Sequence, residues 1–106
     1  MSNSQDIIKY VKHNKVRLKA GKREECTKIL MEFFKELEGK PTGMKGFVVM
    51  DDMKDLQEYV VLIFWETKED MDAFYQPDNK NLSALIEKLK PSSPIRTDYS
   101  VTKFKT

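Results

Sequence analysis

This sequence has little cysteine, little histidine and no long apolar stretch. The single cysteine, Cys26, rules out an internal disulfide framework and fits a reducing compartment. No apolar run approaches the roughly 20 residues of a membrane span. The polar start, Met1 to Asp6, has no apolar h-region after it, so no signal peptide is expected and a cytoplasmic protein is. Charge of one sign is lacking too. With 19 basic and 17 acidic residues the formal net charge is +2, which argues against a nucleic-acid-tracking surface. Repeats and low-complexity segments are absent. Asp51, Asp52 and Asp55 lack the Gly and Glu spacing of a calcium loop, so they read as a solvated turn, and no metal site is expected.

The most informative feature present is Tyr59-Val60-Val61-Leu62-Ile63-Phe64-Trp65, seven apolar residues without alternation. It is short and rich in β-branched and aromatic side chains, so it reads as a strand buried on both faces. The 106 residues form one domain with its core over about 10–104 and a flexible 1–6. Its helices can cover one face of a sheet. Leaving Val60, Leu62 and Phe64 in water on the other face would cost about 1.5–3 kcal/mol each. A second subunit is the expected cover, in a homodimer.

Residues 10–20 read as a first strand, with Asn14, Val16, Leu18 and Ala20 on one face. Val11, His13, Lys15, Arg17 and Lys19 lie on the other. Gly21 ends it. Lys22 to Glu38 is an amphipathic helix with Cys26, Ile29, Leu30, Phe33, Phe34 and Leu37 on one stripe, stopped by Gly39 and Pro41. Gly46 to Met50 is a second strand, antiparallel to Tyr59–Trp65. Thr67 caps a short helix that buries Met71, Phe74 and Tyr75, and Pro77 interrupts it. A further helix spans about Asn79 to Leu89, Pro91 to Pro94 form a loop, and Ile95 to Phe104 return as the last strand. The order β-α-β-β-α-α-β predicts a ferredoxin-like α+β sandwich with a four-stranded antiparallel sheet.

Four segments carry a resemblance to a known family: Asn14-Lys15-Val16-Arg17-Leu18-Lys19-Ala20-Gly21, the long helix, Gly43-Met44-Lys45-Gly46-Phe47, and Leu62-Ile63-Phe64-Trp65-Glu66-Thr67-Lys68-Glu69-Asp70-Met71. Over roughly residues 10–90 the chain resembles the antibiotic biosynthesis monooxygenase family of dimeric ferredoxin-like barrels. The family includes cofactor-free quinone-forming oxygenases, haem degraders, signal-molecule enzymes and members with no known reaction. Asn14 matches the Asn that the haem-degrading branch carries late in its first strand. Phe74 stands where that branch has Trp, and Leu82-Ser83-Ala84-Leu85 offers no axial His. The only histidine, His13, adjoins Asn14 and so points to the opposite face. Haem is therefore not expected, nor is any other cofactor.

The resemblance implies a small oxygenase acting on an apolar or aromatic substrate between sheet and helices. Asn14 and Trp65 are the candidate catalytic residues, and Phe33, Phe34, Phe74 and Leu82 the candidate substrate-binding ones. Each has a plain structural alternative. Asn14 can simply bond nearby backbone, Trp65 and the phenylalanines can be core, His13 can be a solvated strand residue, and Cys26 can be inert. No acid–base pair is evident, and Asn14 reads as the one polar side chain on its strand face. A non-enzymatic binding module of the same fold is the alternative function. An RNA-binding domain fits less well, because Lys45-Gly46-Phe47-Val48 lies on the wrong strand and lacks its aromatic partners.

Overall fold

The structure is a computed structural model and describes residues 8–37, 42–74 and 95–105. Its elements are β1 (Tyr10–Arg17), α1 (Arg23–Leu37), β2 (Met44–Asp51), β3 (Glu58–Trp65), α2 (Lys68–Phe74) and β4 (Ile95–Ser100). The four strands form one antiparallel sheet in the order β2-β3-β1-β4. The β1-α1-β2 crossover skips one strand, and β3 fills the gap, as in a ferredoxin-like split βαβ unit.

The two faces of β3 fare differently. Tyr59, Val61, Ile63 and Trp65 are buried, whereas Val60, Leu62 and Phe64 are only half-buried. The helices cover the first set, and the second lies on the open side of the sheet. Register places Val11, His13, Lys15, Val48, Met50, Ile95, Thr97 and Tyr99 on that same open face. Phe104 meets Phe64 edge-on there, with centroids 6.5 Å apart.

Helix α1 begins with Glu24 and Glu25, favoured by the helix dipole, and buries Cys26, Leu30 and Phe34. It lies over β2 and β3. Phe34 stacks on Phe47 at 3.9 Å, and Thr27 meets the Tyr59 hydroxyl at 2.5 Å. Thr27 Oγ1 also lies 3.1 Å from the Arg23 carbonyl, to which it can only donate. A hydroxyl has one proton, so Tyr59 donates to Thr27. Arg23 reaches the β2–β3 turn, where Nη2 donates to the carbonyls of Asp52 (2.9 Å), Asp55 (3.2 Å) and Glu58 (3.4 Å). Its Nε pairs with Asp51 at 3.2 Å.

Thr67 caps α2, accepting the Asp70 amide at 3.1 Å. The junction leans on Gly43, whose carbonyl accepts the Glu66 amide at 2.9 Å. Gly43 has φ +78°, and a Cβ there would stand 2.9 Å from the Asp70 Cβ. Only glycine fits that position without strain.

The first strand ends at Arg17, so Ala20 falls in an exposed turn and not on the buried face. The last strand ends at Ser100, short of Phe104, and turns Tyr99 to the open face, 52% exposed. The expectations of a flexible start over 1–6, of a helix over Asn79–Leu89 and of a loop over Pro91–Pro94, together with Tyr75 and Leu82, lie outside the described residues.

Candidate active site

Strand alternation sends Tyr10, Lys12, Asn14 and Val16 of β1 toward the helix side. Val16 joins the core under α1, but the three residues before it are polar or amphipathic. Opposite them on β4 stand Ser100, Asp98 and Arg96, in the pairs Tyr10–Ser100, Lys12–Asp98 and Asn14–Arg96. The helix-facing side of the sheet is therefore divided. Its β2–β3 half is apolar and sealed by α1, and its β1–β4 half carries a polar strip beside β4, all six of whose residues are exposed.

Asn14 retains 9% exposure. Its Nδ2 donates to the Val61 carbonyl at 3.1 Å and the Lys12 carbonyl at 3.4 Å. Both contacts are with acceptors, which fixes nitrogen toward the backbone and leaves Oδ1 as the acceptor. Among the described residues Oδ1 accepts no hydrogen bond. Lys12 is 8% exposed and forms an ion pair with Asp98, whose side chain is half open to solvent. At the Tyr10–Ser100 end of the strip lies an open hollow of about 380 Å³, bordered by Lys9, Thr67, Lys68, Glu66 and Glu69. Lys68 is raised above the ordinary lysine value, first by its 2.8 Å bond to Asp72 and further by the charges of Asp72 and Asp98. The hollow therefore lies within electrostatic reach of the strip.

The other candidates fall into separate groups. Trp65 is fully buried against Phe74, with centroids 5.3 Å apart. Phe33 packs edge-on to Phe34, which stacks on Phe47. Asn14 and Trp65 share a face but stand four residues apart along paired strands, roughly 13 Å at about 3.3 Å per residue. Ile63 and Lys12 lie between them. His13 is on the open face, as expected, with its ring 6.2 Å from that of Tyr99. Burial pushes the Cys26 thiol up to about 11, so it is protonated and unreactive at neutral pH. Asp52 is a turn residue whose Oδ1 accepts the amides of Lys54 (2.8 Å) and Asp55 (2.7 Å), which lowers its pKa. No group of metal-ligating side chains occurs among the described residues.

Two readings of the sequence need correction. Asn14 is not alone on its face, because Lys12 sits beside it, nearly buried. Nor is that side without an acid, since Asp98 faces Lys12 across the strands. Alternation alone would have placed Lys12 next to Asn14. Asp98 could be placed only once the β4 register was known.

The family model for antibiotic biosynthesis monooxygenase matches residues 9–79. The chain belongs to that family. Solved structures agree on the fold. A conserved protein from Methanosarcina mazei Go1 has a TM-score of 0.73 and 16% identity, over 90% of this chain and 94% of that one. A Bordetella bronchiseptica protein, provisionally named an antibiotic biosynthesis monooxygenase, reaches 0.76 at 12% identity, over 90% and 98%. A variant of SnoaB, a cofactor-independent oxygenase from Streptomyces nogalater, reaches 0.73 at 10% identity, over 91% and 95%. No curated protein matches the chain. Among the described residues no helix is long and apolar enough to cross a membrane.

Proposed function

We propose that this protein is a cofactor-independent oxygenase of an apolar, aromatic substrate carrying an acidic C–H or O–H group. The supporting observation is the buried Asn14 amide, with an unengaged Oδ1, beside the Lys12 ammonium on the helix-facing side of the sheet. An electron-rich substrate that has lost a proton can itself reduce dioxygen. One oxygen atom enters the ring and the other leaves as water, so an anthrone and O₂ give an anthraquinone and H₂O. The protein's part is to hold the ring, stabilise the anion that forms and exclude bulk water. Lys12 suits the second task, and Asn14 Oδ1 can accept a hydrogen bond from a substrate hydroxyl or a protonated peroxide.

Family membership and the likeness to an oxygenase fold support this reading. The test is oxygen uptake with anthrone as substrate and anthraquinone followed by absorbance. Protein-dependent turnover that falls in Asn14→Ala, at little cost in melting temperature, is the expected result. No uptake, together with a large loss of stability in that variant, would sink the proposal. That result would favour the second reading, a non-catalytic binding module, which Asn14 itself lends some weight because its Nδ2 bonds two backbone carbonyls.

The working form in this proposal is a cytoplasmic homodimer joined through the open sheet face, with no nucleic-acid or membrane partner. Val48, Met50, Ile95 and Tyr99 are 38–65% exposed there beside half-buried Val60, Leu62 and Phe64. An apolar face of this size on a small protein marks an interaction site. Haem and other cofactors have no part in the proposal. His13 lies across the sheet from Asn14, on the wrong side to ligate iron in the cleft.

A further inference from the structure

The open face of the sheet is apolar through its middle, with one imidazole set into it. Half-buried His13 stands opposite Leu62 of β3 and Thr97 of β4, between Val11 and Lys15 on its own strand. Tyr99 meets its ring edge-on at 6.2 Å, and Val48 of β2 lies beyond Leu62. Of these neighbours only Lys15 is charged, and it is a cation. The carboxylates at the two ends of β3, Glu58 and Glu66, lie four positions from Leu62, roughly 13 Å at about 3.3 Å per residue. Both are engaged, Glu58 with Arg17 at 2.9 Å and Glu66 with Lys45 at 3.2 Å. Asp98 belongs to the opposite face. Past Val11, the Phe104 that meets Phe64 is flanked by two further cations, Lys103 and Lys105. The carboxylates at the ends of the face are thus paired within the chain, and its middle is apolar. Such a face offers little to a charged partner, whereas a second copy covers it apolar against apolar.

We infer that His13 makes this interface proton-sensitive: two copies join through the open face while His13 is neutral and separate when it takes up a proton. The inference rests on the homodimer as the working form and adds its regulation. A neutral imidazole is a flat ring that a second sheet can cover at little cost. An imidazolium carries a charge that must then leave water, and among the described residues no unengaged carboxylate faces it to offset the loss. Attraction to the Tyr99 ring is the smaller effect, and Lys15 opposes the charge further. In a separated protomer water reaches the ring and the proton is readily held. The protomer therefore binds more protons than the dimer, so falling pH draws the equilibrium toward protomers.

Sedimentation of fluorescently labelled protein, from nanomolar to micromolar, gives the dimer dissociation constant at each pH. Far-ultraviolet circular dichroism reports the fold in the same samples. From about pH 7.5 to about pH 5.5 imidazole gains its proton while carboxylates stay largely ionised. Over that range the constant should rise about tenfold or more in the unaltered protein, with the spectrum still native. His13→Gln, whose side chain is polar but neutral, should keep the constant flat. A constant that does not change with pH in the unaltered protein, or one that rises as much in His13→Gln, overturns the role of His13 while the dimer stands. Loss of the native spectrum at the lower pH overturns it too, because dissociation then follows unfolding. A protein that is monomeric at micromolar concentration and about pH 7.5 overturns the dimer and the inference together.

Discussion

Alkaline solution should unfold this protein by ionising two groups that its core keeps neutral. Burial pushes the Tyr59 hydroxyl up to about 12 from 10.0, and the Cys26 thiol to about 11 from 9.0. In each case desolvation is the largest cause. The Thr27 bond pulls Tyr59 part of the way back, and the charge of Asp51 adds to the rise in both. The unfolded chain releases these protons first. Their stabilisation is therefore complete below about pH 9, then falls through pH 11 for Cys26 and from pH 10 through 12 for Tyr59. A two-unit shift corresponds to about 3 kcal/mol when fully lost. At about pH 11 the partial losses are about 2 kcal/mol for Cys26 and about 1 kcal/mol for Tyr59. Together they are a large part of a total stability of roughly 5–15 kcal/mol. Tyr59→Phe isolates one contribution. At neutral pH it should cost about 1 kcal/mol, the hydrogen bond to Thr27. That deficit should shrink to nothing near pH 11 and reverse above it. Urea unfolding at a series of pH values measures it, and phenolate absorbance shows when Tyr59 ionises. A deficit that stays constant from neutral pH to pH 11 would refute the reasoning.

Three further outcomes are expected. Leu62→Lys or Val60→Lys places a charge on the open face and should prevent dimerisation or folding, by several kcal/mol for an unpaired buried charge; sedimentation at micromolar concentration reads this, and a parent protein that is monomeric there rules the dimer out. Haemin titration should give no stoichiometric, histidine-ligated Soret shift; if one appears and His13→Ala abolishes it, the cofactor-free reading is wrong. Gly43→Ala should lower stability by about 1–3 kcal/mol, from a left-handed backbone and a Cβ forced against Asp70, seen as a lower melting temperature; an unchanged one would show that the β3–α2 junction shifts freely.

The fold was legible because its signals were local and mutually consistent. The unalternating run at Tyr59–Trp65 became a central strand with one sealed face and one open face. The stripe from Cys26 to Leu37 became the buried side of α1, and Thr67 did cap α2. The site was less legible, because its polar partners meet across strands distant in sequence. Lysine is so rarely buried that nothing in the sequence marks Lys12 as an interior residue. Asp98 had no assignable face until β1 and β4 were paired. Tyr99 could not be oriented for the same reason, since a one-residue change of register reverses every side chain in a strand. Asn14 was correctly placed on the helix side, but no pattern in the sequence announces its bonds to the carbonyls of Lys12 and Val61.

The guanidinium of Arg23 has a kinetic consequence. It sits at the first residue of α1 yet holds three carbonyls of the β2–β3 turn, 29 to 35 positions further along the chain. Opening that hairpin releases the arginine, and fraying the start of α1 releases the turn. The two segments should therefore exchange their amide hydrogens as one cooperative unit, although neither is adjacent to the other in sequence.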